Sequence, residues 1–186
     1  MIIKYDEDTE DITITGTIHN TNSPYSWEEF GKFTRTINVD GEVHHDYFTI
    51  SPSQENKGFG SLFYRNSEKH YMRVGLKKIT MLANINVGGY AWARMGFNFA
   101  YGESTWYADA AKDVWQRNTD APFPKGVDTA YEIAALRTPN GVNVGKEVLL
   151  GTYYNAVKYL DPKHETWKAG QAYYRSKSKK KKKSTY

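Results

Sequence analysis

The sequence predicts an α/β (α+β) fold, with a mixed, twisted sheet followed by a helical C-terminal extension. Three observations predict it. Alternating β-type segments occupy much of the first fifty residues. A Gly-rich loop then joins a strand to a helix, and a second apolar strand follows that helix, which calls for a parallel pair. Beyond residue 103 the pattern becomes mainly helical.

Residues 12–18 (ITITGTI) alternate apolar side chains with Thr and Gly, as a half-buried strand does. A loop over 20–24 leads to Ser26, which either caps one helical turn or belongs to a long connection. Residues 33–39 alternate again, and Asp40-Gly41 reads as a type I′ hairpin turn. Residues 43–50 return as a strand. Strict alternation places Asp46, Phe48 and Ile50 on one face, and His45, Tyr47 and Thr49 on the other.

Pro52 stops that strand, and 53–60 (SQENKGFG) is a polar loop. From Ser61 the period is helical, with Leu62, Phe63, Asn66, His70 and Val74 near one face and Gly75 at the end. Residues 78–85 (KITMLANI) form an apolar run suited to a central strand. Gly88-Gly89 breaks it, 90–95 make a short helix stopped by Gly96, and Phe97 and Phe99 begin another strand. A helix capped by Ser104 or Thr105 runs to 117, and 119–126 is a linker. Helices over 129–136 and 146–160 flank a Pro139-Asn140-Gly141 turn. The domain plan is therefore a core over 1–103, a helical extension over 104–174 and a disordered Lys-rich tail over 175–186.

Composition narrows the function classes. The 186 residues suit one domain with an appendage, and 39% hydrophobic with 25% charged residues is globular. With no cysteine, disulfides, thiolate metal sites and Cys nucleophiles are excluded. His19, His70 and His164 have no ligand spacing, so no metal is expected. No apolar run is long enough for a membrane span, and the acidic start does not read as a signal peptide, so a cytoplasmic location is expected. The net charge of +4 resides in the tail. Arg175, Lys177, Lys179, Lys180, Lys181, Lys182 and Lys183 are its cations, and residues 1–174 hold 18 cations against 21 acids. Nucleic acid or an acidic partner would be met through that tail, the alternative being a merely solubilising one.

The most specific signal is strand, proline, polar loop, Gly58-Phe59-Gly60, helix. A helix start exposes unpaired N–H groups, and glycines before it let backbone close around a phosphate. It is neither a Walker A loop nor a dinucleotide fingerprint, lacking the Gly-Lys-Ser/Thr and the third glycine.

Phe48-Thr49-Ile50-Ser51-Pro52 with Glu55-Asn56-Lys57-Gly58-Phe59-Gly60-Ser61 resembles the fourth strand and pyrophosphate loop of the GNAT (acyl-CoA-dependent N-acetyltransferase) superfamily. That family's loop reads Gln/Arg-x-x-Gly-x-Gly/Ala, and Met95-Gly96-Phe97 resembles its Leu-Gly-Phe segment. The resemblance implies acetyl-CoA or another acyl-CoA as cofactor. Backbone of Thr49, Ile50 and Ser51 would pair with the pantetheine arm, and amides of Asn56, Lys57, Gly58, Phe59, Gly60 and Ser61 would hold the pyrophosphate. Asn86 would lie beside the cofactor.

The chain departs from the pattern in three places. Glu55 stands in the Gln/Arg slot, Trp92 replaces the general-acid Tyr, and the first helical hairpin is shortened. Tyr90 is the nearest candidate proton donor, and His45 the candidate base for an amine acceptor. Packing is the competing reading for both. A vaguer resemblance, carried by 88–97 and 146–160, is to GNAT-like domains of tailed-phage head or other virion-associated proteins. Two functions follow: an N-acetyltransferase acting on an unknown amine, or a catalytically degenerate structural or accessory protein incorporated into a phage virion.

Overall fold

The computed structural model describes residues 1–19, 29–55, 57–84, 88–102 and 104–183, with side chains as far as 177. It is a mixed α/β structure divided into two compact units, Met1–Met81 and Leu82–Tyr186. The expected boundary at 103 lies within the second unit.

The first unit carries β1 (Ile2–Tyr5), β2 (Ile12–His19), β3 (Glu29–Ile37), β4 (Glu42–Ile50), α1 (Phe59–Arg73) and the start of β5 (Lys78–Ala83). Its strands run in the order β1-β2-β3-β4-β5. All neighbours are antiparallel except β4 and β5, the expected parallel pair. The expected cap at Ser26 lies outside the described residues, and Glu29 and Phe30 already belong to β3.

The β3–β4 turn differs from the type I′ expectation. Only Gly41 takes a positive φ, of 79°. Asn38 does the rest: its Oδ1 accepts the N–H of Asp40 at 3.1 Å and of Glu42 at 3.0 Å, so the side chain replaces a second left-handed residue.

Strict alternation also fails on β4. Thr34 pairs with Tyr47 but Arg35 pairs with His45, so Asp46 is an extra residue, a β-bulge. The bulge puts His45 and Phe48 on one side, both against α1. His45 meets the Tyr64 ring at 5.0 Å and Phe48 stacks on Phe63 at 5.3 Å, while Tyr47 is exposed. On α1 the buried positions are Tyr64 and Glu68, and Leu62 and Val74 face solvent, contrary to the predicted stripe. Phe30, Phe33, Phe59 and Phe63 complete the apolar contact between helix and sheet.

The second unit holds α2 (Gly88–Arg94), β6 (Asn98–Phe99), α3 (Ser104–Asn118), α4 (Ala130–Ala135), α5 (Val144–Leu149), β7 (Tyr154–Tyr159) and α6 (Glu165–Lys183). A capping box between Thr129 and Glu132 starts α4. The helix expected over 146–160 is instead α5 followed by β7. Gly151, at φ 78°, separates them, and alternate burial of Tyr154, Ala156 and Lys158 is strand periodicity. β7 pairs antiparallel with β6, and Phe99, Tyr107 and Tyr154 form an aromatic core. The tail expected to be disordered from 175 continues α6 as far as Lys183. Lysine is a good helix former, and cations suit a helix C-terminus.

Candidate functional site

Two arrangements bear on the predicted chemistry, one in each unit. In the first, β4 leaves its parallel partner early. The paired residues are Glu42 with Lys78, Val43 with Ile79 and His44 with Thr80, and the bulge at Asp46 follows. Beyond it, β4 keeps its antiparallel bonds to β3. Ser51 N–H donates to the Phe30 carbonyl at 2.8 Å, and the Ser51 carbonyl accepts Gln54 N–H at 2.8 Å. Backbone polar groups alternate sides along a strand, so those of Ile50 turn to the edge away from β3. Of the three residues implied for pantetheine pairing, Ile50 is the one so disposed; Ser51 is already engaged.

Pro52–Gln54 then make one 3-10 turn, and the chain reaches α1 through exposed Glu55 and Lys57. Gly58 is the N-cap, left-handed at φ 83°, a conformation that glycine adopts without steric cost. Gly58 has no side chain to cap this helix, and a Cβ built on it would meet nothing within 4 Å among the described residues. Among the described residues, no side-chain acceptor meets the N–H groups of the first turn of α1, from Phe59 through Gly60 and Ser61. These residues fit a phosphate group. Asn56 and Asn86, both predicted site residues, lie outside the described residues.

His45 is elsewhere. Its ring is buried beneath α1, with Nε2 at 3.0 Å from Tyr71 Oη and no hydrogen-bond partner for Nδ1 among the described residues. Burial holds its pKa well below the ordinary value, and the charge of Arg35 and proximity to His44 lower it further. It is a neutral imidazole, shielded from solvent.

In the second unit, Tyr90 sits on α2, partly exposed. Its Oη accepts a hydrogen bond from Arg137 Nη2 at 3.0 Å and another from Asn143 Nδ2 at 3.2 Å. Partial burial pushes the phenol pKa up. The bonds from Asn143 and Arg137, with the charges of Arg137 and Arg94, outweigh it, and the net shift is downward. Asn143 is the N-cap of α5 and also lines a shallow groove of about 320 Å³ with Lys146, Glu147 and Leu150. Trp92, on the same helix, packs edge-on against Phe97. Sequence reading missed Arg137 and Asn143, 47 and 53 residues from Tyr90. An Asn just after a Pro-Asn-Gly turn and ahead of a helical run was the local signal for the second.

No helix among the described residues is long and apolar enough to cross a membrane. No protein-family model and no curated protein matches the chain. Among solved structures, an acetyltransferase from Bacillus cereus ATCC 14579 is 15% identical, with 52% of this chain and 66% of that one covered and a TM-score of 0.42. Tetrahymena GCN5 is 9% identical over 83% of this chain and 71% of that one, with a TM-score of 0.43. A Bacillus subtilis acetyltransferase in complex with CoA is 11% identical over 82% and 78%, with a TM-score of 0.39. Likenesses this loose fix neither family nor activity.

Proposed function

We propose that this chain is a GNAT-type acyl-CoA-binding protein that transfers an acetyl group to an amine. The carrying observation is the start of α1, a glycine-entered helix of fifteen residues with no side-chain cap among the described residues, on the loop that follows a strand parted from its parallel neighbour. Amides of Lys57 to Ser61 would hold the pyrophosphate, where the helix dipole favours negative charge. Ile50, on the edge away from β3, would pair with the pantetheine arm as an added strand does. Acetyl-CoA would supply the activated acyl group. A backbone N–H of β4 would polarise its carbonyl, and Tyr90 is the residue proposed as proton donor. His45, buried and neutral, is the weaker of the two predicted catalytic residues, and water is the simpler acceptor for the amine proton.

Saturating CoA tests the binding site. At a hundred-fold excess over Kd, binding adds about 2.7 kcal/mol, equivalent to a rise of roughly 5–10 °C in Tm for a chain of this size. Gly60→Asp, which sets a carboxylate in the first turn of α1, should abolish that rise while leaving the ligand-free melt close to wild type. A rise retained by Gly60→Asp and Gly58→Asp would refute the site. Binding without transfer to any amine would favour the degenerate, virion-associated reading, for which Glu55 and Trp92 speak. Contact with nucleic acid through the cations of 175–183 belongs to that reading and would show a steep salt dependence.

A further inference from the structure

The hydrogen bonds around Tyr90 leave several protons without a destination. A guanidinium has only N–H donors, so Arg137 donates to the phenol oxygen, at 3.0 Å. Asn143 Oδ1 takes the N–H of Lys146 at 3.0 Å, and its Nδ2 donates to the same phenol oxygen at 3.2 Å. The oxygen therefore accepts twice, and its own O–H meets no acceptor among the described residues. Asn143 Nδ2 keeps a second N–H. Arg137 spends Nη1 on the Leu136 carbonyl at 2.8 Å and the Ala134 carbonyl at 3.4 Å, which leaves Nε–H and one Nη2–H uncommitted.

Charge is in surplus at the same place. Arg94 and Arg137 are the charged groups bearing on the phenol, and the ion pairs of the described residues lie elsewhere. Arg94 lies over the Tyr173 ring at 5.3 Å and reaches the Ala134 carbonyl at 3.4 Å. Asn143 also lines the groove of about 320 Å³, together with Lys146, Glu147 and Leu150. Lys146 adds a third cation, and Leu150, 39% exposed, adds an apolar wall. All of these residues belong to the second unit. Donors from three side chains, backed by cations, are met most strongly by an anionic oxygen. Glu147 selects among anions. Its carboxylate repels a phosphate dianion about twice as strongly as a singly charged carboxylate at the same distance.

We propose that Tyr90, Arg137 and Asn143 form a site for the carboxylate of a small organic acid, whose carbon chain lies in the groove against Leu150. The phenol O–H, an N–H of Arg137 and the second N–H of Asn143 are the donors to it, and Lys146 adds favourable charge at the groove. The site is confined to the second unit and stands whether or not the protein is an acyltransferase.

The test uses the full chain without acyl-CoA. Sodium butyrate is the probe, butyramide its neutral counterpart and inorganic phosphate the competing anion. Binding is followed by NMR through the side-chain amide of Asn143. Butyrate should shift that signal saturably, with a Kd in the millimolar range for so few contacting atoms. Butyramide should bind about ten-fold more weakly or worse, because it brings no charge. Arg137→Gln should weaken butyrate about ten- to a hundred-fold, and Arg137→Lys should recover part of the loss. Tyr90→Phe should weaken it about two- to ten-fold. That variant keeps the ring, so it carries the test should Arg137→Gln fail to fold. A wild-type protein with no response to butyrate at about 50 mM, where even a weak millimolar complex is populated, overturns the site. So does butyrate binding that butyramide matches, or that neither variant weakens. Phosphate binding more tightly than butyrate overturns the carboxylate assignment.

Discussion

Tyr71 and Tyr90 are the same side chain in opposite settings. Tyr71, on α1 in the first unit, is largely buried beside His45. Burial raises its pKa and Glu68 adds to the rise, against the lowering effect of Arg35 and of a hydrogen bond to Ser67. Tyr90, on α2 in the second unit, is partly exposed, bonded by two donors and shifted down. The difference separates a polar group held inside the fold from one held where solvent can reach it. Around Tyr71, removing a member should unfold the unit before it alters any reaction. Around Tyr90, the fold should persist.

Arg35 offers the strongest test of the architectural half. It is 3% exposed, and its Nη1 donates to the carbonyls of Thr34 at 2.7 Å and Tyr47 at 2.6 Å. Those residues pair with each other beside the point where Asp46 is extra, so the guanidinium satisfies backbone acceptors next to the bulge. It also lies over the rings of Phe33 and Phe48. Arg35→Met keeps most of the volume but leaves the Thr34 and Tyr47 carbonyls short of a donor and the buried site without its charge. We expect a loss of about 3 kcal/mol, read as a Tm fall of roughly 6–12 °C. A fall under a degree or two would mean that the bulge needs no staple.

His45 supplies a smaller, pH-dependent effect. Its pKa is depressed in the folded state by burial, next to cationic Arg35, whereas in the unfolded chain it is about 6.5. The unfolded chain therefore takes up the proton first as pH falls. Stability is full above pH 6.5 and declines below it, until the folded-state value is reached. Between pH 7.5 and 5.5 the loss should be at most about 1.4 kcal/mol, measured as a shift in urea midpoint. His45→Asn should lack this component of the slope. An unchanged slope would place a solvent path to the imidazole.

The same contrast explains what was legible in the sequence. The loop from Pro52 to Gly60, the parallel pair and the helix starting near Ser61 depend on neighbours in the chain, and they could be read from Pro, Gly and periodicity. The bulge could not, because one extra residue leaves no mark on an alternating run, yet it moves His45 and Phe48 to a common face. The burial of Glu68 is illegible for a related reason. A carboxylate on a helix is expected to face water, and here it is fully buried on the helix face that packs against the sheet. Residues 154–159 read equally as helix because the aromatic and apolar positions of YNAVKY suit either period over so short a span. Tyr90 was identified as a candidate, but the partners that give it character come from segments about fifty residues away, and only tertiary structure brings them together.

The smallest expected stability change is at Tyr90, and it completes the comparison. Tyr90→Phe removes the phenol oxygen but keeps the ring. Asn143 retains its cap bond to Lys146, and Arg137 retains its anchor on the Leu136 carbonyl. Both freed donors lie at a partly exposed site where water can replace the oxygen. Stability should therefore change by no more than about 0.5 kcal/mol, against a comparable or greater loss for Tyr71→Phe, whose oxygen is bonded to His45 in the interior. Urea melts of the two variants side by side decide the point. If Tyr90→Phe proves the more destabilising, the Arg137–Asn143 grip belongs to the folding of the second unit, and the distinction between the two tyrosines collapses.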